Sequence, residues 1–422
     1  MPTELREMLH DAVESPPYDG TELSNLLDAG RRRVRARRRR AATVAAVVVL
    51  ALAGSAVLLP RVGGGSPGPV GPVQPVGKVV HPADAVDAVR GKDYRVLYRQ
   101  DSGNLDRANG MVLGPVAGDG GVLVQDGPHG IRNLSRYGVL DPRTGRTHWL
   151  QDPPRPGHMG LQLVGFDRQH LVLAGDAVDG KHLGLWVLDR TTETWTRRSI
   201  DVRSAGLSFD TLAAQALADG RLYLSATGNG GPATRERGHL WSVALTPGAR
   251  LRDEKVDVGT FAVKAGVLTY LAYDNRPTSE LHVRDLATGK EQTYDTRSGR
   301  HCNQLWLSRV GEDIVMFQYC GTHHGVRDDR VQVVTATGTP VVSVQGNDLQ
   351  LDQATDRFLS MVEYQGPGAG TYVYDLHRGR LMRVSHGRSK FAGNGNGHGS
   401  RLIWSTPILH GHGRTQWVAD FR

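Results

Sequence analysis

The chain has 422 residues, 39% of them hydrophobic, with 53 glycines, two cysteines and a formal net charge of +8. That basic excess is spread thinly over a long chain and does not mark a nucleic-acid binder. No G-x-S-x-G, H-E-x-x-H, P-loop or EF-hand pattern occurs, so no motif names a reaction.

Near the N-terminus, Leu5, Met8, Leu9 and Val13 fall at helical spacing, and Ser15-Pro16-Pro17 ends that helix. A second helix is predicted from Asp19, with Glu22 in capping-box position and Leu23, Leu26 and Leu27 as its apolar stripe. Two short helices cannot bury a core unaided, so a membrane surface or a cytoplasmic partner at residues 1–30 is expected to cover them. Residues 31–40 read RRRVRARRRR, and residues 41–59 carry no charge. At about 1.5 Å per residue, a helix over 41–59 spans roughly 28 Å, the hydrocarbon thickness of a bilayer. The arginine run favours the cytoplasmic side, where it meets anionic lipid headgroups rather than nucleic acid. The expectation is a cell-membrane protein with a single transmembrane helix at 41–59, a short helical cytoplasmic leader at 1–40, and an extracytoplasmic remainder. The rival is a cleaved secretory signal, with small-residue sites at 51–53 or 54–56; its apolar core would be shorter and nearer the N-terminus.

This layout resembles that of actinobacterial single-pass membrane proteins, some of which are anti-sigma factors. The resemblance implies, as one alternative, a transmembrane regulator whose leader holds a transcription factor. The zinc-bearing version of that leader carries a His and two Cys, whereas this one has His10 and no cysteine.

Residues 60–82 are rich in Gly and Pro and read as an extended linker. From residue 83 onward the chain repeats. Apolar strand cores recur at Val122-Leu123-Val124, Leu171-Val172-Leu173, Leu222-Tyr223-Leu224, Val267-Leu268, Ile314-Val315-Met316, Phe358-Leu359 and Leu402-Ile403-Trp404, at intervals of 49, 51, 45, 47, 44 and 44 residues. Each is followed by a second strand, and six of the seven then turn tightly into another, as at Asp141-Pro142-Arg143-Thr144-Gly145 and Asp285-Leu286-Ala287-Thr288-Gly289. A hairpin repeat of this period predicts an all-β fold, a seven-bladed β-propeller over residues 83–422. The last repeat lacks a fourth strand, while Tyr94-Arg95-Val96-Leu97-Tyr98-Arg99 is a strand without a blade. The economical closure gives the spare strand to the last blade, which a two-domain sandwich would not explain.

The hairpins resemble those of quinoprotein and TolB-class propellers. Val139 through Trp149 follows the A-x-D-x-x-T-G-x-x-x-W pattern with Val for Ala. In that pattern the Trp packs neighbouring blades together, so the resemblance implies the fold and no cofactor. The Gly-rich run at 393–399 opens no helix and reads as a blade connection rather than a phosphate loop.

Cys302 and Cys320 lie symmetrically about residue 311, the turn between the first two strands of blade five, so antiparallel register brings them together as a disulfide. The alternative is a metal site with free thiols, since His301, His323 and His324 are near in sequence. Connections between second and third strands are long and polar, and in a propeller they share one face. They gather Arg132, Arg235, Arg237, Arg276, His323, His324, Arg327, Arg330, His410 and His412, the residues expected to bind an envelope protein or an anionic ligand. No catalytic residue, metal or cofactor is expected, and the leading function is recognition or sensing. The enzyme alternative is an extracytoplasmic propeller hydrolase, lyase or oxidoreductase using the same face.

Overall fold

The computed structural model describes residues 77–102, 111–129, 134–154, 161–176, 182–201, 212–227, 238–246, 248–272, 280–296, 302–323, 325–365, 368–386, 398–407 and 414–422. The chain divides into two units, Met1–Pro72 and Val73–Arg422, and all described residues belong to the second. The expected leader, arginine run and membrane helix lie outside the described residues. Among those described, no helix is long and apolar enough to cross a membrane.

The described fold is all-β and propeller-like. Three strands come first: β1 (Lys78–Val80), β2 (Val86–Asp87) and β3 (Tyr94–Ser102). A meander follows. Unit one comprises β4 (Val112–Val116), β5 (Val122–His129), β6 (Leu134–Asp141) and β7 (Arg146–Trp149). Unit two comprises β8 (Gln162–Phe166), β9 (His170–Asp176), β10 (His182–Asp189) and β11 (Thr194–Asp201). Unit three runs through β12 (Leu212–Ala218), β13 (Arg221–Thr227) and β14 (Gly238–Ala244) into β15 (Arg252–Lys264). β15 begins as the outer strand of unit three and continues as the innermost strand of unit four, beside β16 (Val267–Ala272), β17 (Glu280–Asp285) and β18 (Glu291–Asp295). Unit five holds β19 (Asn303–Val310), β20 (Asp313–His323), β21 (Val326–Val334) and β22 (Pro340–Gly346). Unit six holds β23 (Leu349–Ala354), β24 (Phe358–Glu363), β25 (Gly370–Asp375) and β26 (Arg380–Ser385); unit seven holds β27 (Arg401–Pro407) and β28 (Arg414–Phe421).

The middle strands are buried on both faces because each sheet is sandwiched between neighbours, which is why they read as continuous apolar runs. β24 and β25 are buried at every residue, whereas outer β11 (TWTRRSID) is mostly exposed. Seven apolar cores fill the spaces between consecutive units. Leu123 and Tyr137 of unit one meet Leu171 and Trp186 of unit two, and so on around the meander. The last core joins Ile403 and Val418 of unit seven to Leu113, Val122 and Leu140 of unit one, so the packing closes on itself.

β3 completes the ring. It pairs antiparallel with β28 from Arg414 opposite Ser102 to Phe421 opposite Tyr94, as the surplus strand required. Two features were not foreseen. β1, inside the stretch expected as linker, adds in parallel to the outer edge of β22, and β2 does the same to β26. Residues 78–102 therefore run along the outer edges of units five, six and seven in turn, covering strand edges that would otherwise be free to pair. In addition, each of the six described innermost strands carries a register shift against its neighbour. Such bulges sharpen twist where strands converge on the axis.

Candidate functional site

In an antiparallel meander, successive connections leave from alternate ends of the sheet. Turns between first and second strands therefore share one end with the tight hairpins between third and fourth strands. Connections between second and third strands lie at the other end. Those of units one and five are shorter than expected, four and two residues, because β5, β6, β20 and β21 extend into stretches whose polar composition reads as loop.

At the short-turn end, polar contacts join neighbouring units near the axis. Arg190 of unit two reaches Asp119 of unit one at 2.9 Å, also donates to the Asp167 carbonyl, and stacks over Phe166 at 4.7 Å. The Gly266 amide of unit four donates to Asp219 of unit three at 2.9 Å. Lys264 of unit four donates to the Gly311 carbonyl of unit five (3.1 Å) and to Asp356 of unit six (2.8 Å). Asp356 also accepts from the Gly399 amide of unit seven at 3.1 Å. Burial opposes ionisation of Asp356, but the Lys264 contact outweighs it and holds the carboxyl below its usual range. Arg401 of unit seven grips Asp420 through two bonds of 2.9 and 3.2 Å and donates to the Gly120 carbonyl of unit one. Close approach matters here: at Gly311, with φ +57°, a Cβ would lie 2.8 Å from the Asp356 carbonyl oxygen.

A cleft of about 1080 Å³ opens at this end across units seven, one and two. Its lining includes the turn 118–121, the hairpin around Arg143 and Arg146, His148, Arg190, His398, Arg401 and Asp420. Asp119 accepts from the Gly121 amide (2.9 Å) as well as from Arg190. Asp141 is turned into its own hairpin, accepting from the Arg143 amide and the Thr144 hydroxyl, each at 2.9 Å. Those bonds, led by the Arg143 amide, keep its carboxyl below the ordinary range. His148 meets Glu193 of unit two. Arg143 and Arg146 are exposed, and neither guanidinium forms an ion pair among the described residues. Chemically, this is a wide polar groove with two fixed arginine–aspartate pairs in its walls and two open guanidiniums on one hairpin.

Of the residues expected to bind from the long-loop end, Arg327 and Arg330 are described on β21. Arg327 clamps buried Asp329 through two 3.0 Å bonds and stacks on Tyr319 at 4.9 Å. Arg330 clamps Asp328 at 2.9 and 2.6 Å. Both charges are thus compensated within the strand. His323 ends β20, its backbone opposite Val326. Arg132, Arg235, Arg237, Arg276, His324, His410 and His412 lie outside the described residues.

Cys302, the residue before β19, and Cys320 on β20 form a disulfide with Cα atoms 3.9 Å apart. The neighbouring pair Asn303 and Tyr319 shows the expected register, and the alternative of a metal on free thiols does not arise. Among the described residues, no group of three or more His, Cys, Asp or Glu side chains could hold a metal ion. Trp149, from the quinoprotein-like hairpin, packs on the core between units seven and one beneath the Arg136 guanidinium (4.1 Å). The packing role implied by the resemblance is the one this Trp plays.

Loop length along the chain points to the opposite end of the ring, so this cleft was not foreseen. Its signal was present in the Asp119-Gly120-Gly121 turn and in two arginines three residues apart on one tight hairpin.

No protein-family model matches the chain, and no curated protein sequence matches it. Solved structures similar to it in fold include oligogalacturonate lyase from Vibrio parahaemolyticus, at 9% identity and TM-score 0.47 over 78% of this chain and 98% of that one. An oligogalacturonate lyase in complex with manganese is similar at 10% identity and TM-score 0.49 over the same shares. Acylaminoacyl peptidase from Pyrococcus horikoshii is similar at 11% identity and TM-score 0.46 over 73% of this chain and 51% of that one.

Proposed function

We propose that the chain is a single-pass membrane protein displaying a seven-bladed β-propeller outside the cytoplasm as a recognition module, its ligand seated in the short-turn cleft. The observation that carries this reading is the cleft of about 1080 Å³, two of whose wall arginines, Arg190 and Arg401, are already fixed on Asp119 and Asp420. Preformed polar walls favour binding because little is lost in ordering them. The Cys302–Cys320 disulfide supports the location, since such bonds persist in oxidising compartments. The arginine run and apolar span supply the anchor.

The test uses Gly118, where an added Cβ would meet only His398, at 3.8 Å, with no positive φ to strain. Gly118→Phe in the full-length protein should fill the cleft without lowering the melting temperature. Once solubilised in detergent, it should also fail to hold cell-envelope components that the solubilised wild type retains. Equal retention of both would refute recognition through the cleft. Turnover of a polysaccharide or peptide by the purified protein would refute the reading of binding alone.

A further inference from the structure

We infer that the ligand of the cleft carries oxyanions, carboxylate or phosphate, and that Arg143 and Arg146 are the groups that bind them. The inference rests on the cleft being the recognition site, and it names the chemistry of what enters.

Every acid lining the cleft is already committed. Asp119 is held by Arg190 and the Gly121 amide. Asp420 is held by both forks of Arg401. Asp141 is spent on its own hairpin, at the Arg143 amide and the Thr144 hydroxyl. The basic side is not balanced in the same way. Four arginines line the cleft against three aspartates. Asp141, opposite Arg146 in the hairpin and within the field of Arg143, offsets part of their charge, but neither guanidinium forms an ion pair among the described residues. Both project from β6–β7, whose turn is locked by the Gly145 amide on the Asp141 carbonyl (2.9 Å), so two guanidiniums stand on one rigid support. A guanidinium fork suits carboxylate and phosphate oxygens, and charge-assisted bonds are roughly twice as strong as neutral ones.

The cleft has room for far more than a lone inorganic ion. Small-molecule sites occupy roughly 300–1,000 Å³, and this one, at about 1080 Å³ and open, fits an extended molecule with more than one anionic group. His398 at the far wall lies 3.9 Å from Asp356, whose other partners are Lys264 and the Gly399 amide. That wall is therefore neutralised, and attraction concentrates on the Arg143–Arg146 side.

Isothermal titration of the full-length protein in detergent tests this with two probes, pyrophosphate and citrate, at low and high salt. Saturable binding of either, weakening with salt, is expected; the probe that binds more tightly identifies phosphate or carboxylate. Arg143→Gln with Arg146→Gln should weaken that binding about tenfold or more, with an unchanged melting temperature. Lys290→Gln, on the corresponding hairpin of unit four, should leave it intact. Failure of both probes to bind the wild type would overturn the inference, and so would equal binding by the double variant. If the double variant loses the probes but detergent-solubilised Gly118→Phe still holds the envelope components that the wild type retains, the anion chemistry stands and the recognition reading fails.

Discussion

His239 on β14 shows how much one residue here depends on its charge state. Its Nδ1 lies 2.8 Å from Asp257 and its Nε2 lies 2.7 Å from Asp253, both on β15, while Trp241 packs edge-on at 5.1 Å. Burial works against the charged ring, but the two carboxylates outweigh it and raise its pKa above 6.5; Lys255 is the nearby cation and faces Asp253. Because the folded value is raised, the stabilisation is fully present below about pH 6.5 and is lost as pH rises through the folded value. The urea midpoint should therefore fall across that window, and His239→Gln should flatten its share of the slope. An unchanged profile in the variant would show that the ring is not charged. Exposure decides the weight of other ion pairs. Arg401 is 9% exposed and Asp420 21%, so Arg401→Met strands a carboxylate and the Gly120 carbonyl. It should cost about 2–4 kcal/mol in urea unfolding. Arg99 and Asp101 are 55% and 51% exposed, and Arg99→Met should cost no more than about 1 kcal/mol.

At the scale of elements, the N-terminal strands bind the ring together. β3 closes unit seven, and the C-terminus is tied to the same segment through the Arg422 amide on the Asp93 carbonyl (3.0 Å) and the Arg422 side chain on the Gly91 carbonyl (2.9 Å). Asp93, buried, holds the Val89 amide and Arg380, both at 2.8 Å. A chain starting at residue 77 should melt like the full-length domain. One starting at residue 90 loses β1 and β2 and should melt a few degrees lower. One starting at residue 103 leaves the outer edge of β28 unpaired and should aggregate. Identical melting of all three by circular dichroism would exclude closure by β3. The disulfide joins residues 18 apart in sequence, a loop whose closure is worth about 3 kcal/mol in the chain-entropy model. Cys302→Ala with Cys320→Ala should lower the urea midpoint accordingly.

For the whole molecule, stability follows from circularity. Each of the seven cores is shared by two units, so no unit has an apolar core of its own. Unfolding should therefore be cooperative around the ring, and Ile403→Ala between units seven and one should lower the single transition rather than split off a separate early one. Deleting a large buried aliphatic side chain costs about 2–5 kcal/mol. Two resolved calorimetric peaks in that variant would contradict a closed ring. The proposed location has its own measurement. An impermeant protease added to intact cells should digest the propeller and spare the leader, whereas complete protection would place the domain inside.

The number and order of the repeats, the closing strand and the disulfide are all legible in the amino-acid order. Strands covered on both faces must be continuously apolar, so the middle strands announced themselves at a near-constant interval. Antiparallel register about residue 311 left Cys302 one possible neighbour. A missing strand at one terminus and a surplus strand at the other could be satisfied only by each other. The pairing of Arg327 with Asp329 and of Arg330 with Asp328 was less so: polar composition places both arginines on a connection, and only β21, starting at Val326, sets residues two apart on one face. Other features were settled only in three dimensions. β1 and β2 are three and two residues long and carry no periodic pattern; they exist because the outer edges of β22 and β26 were there to receive them. The shared strand β15 joins two units without a break that composition could reveal. The cleft assembles Gly118, Arg143, Arg190 and Arg401 from four separate turns and strands. Its charge balance depends on which carboxylate each arginine reaches across a unit boundary, and distance along the chain carries no record of that.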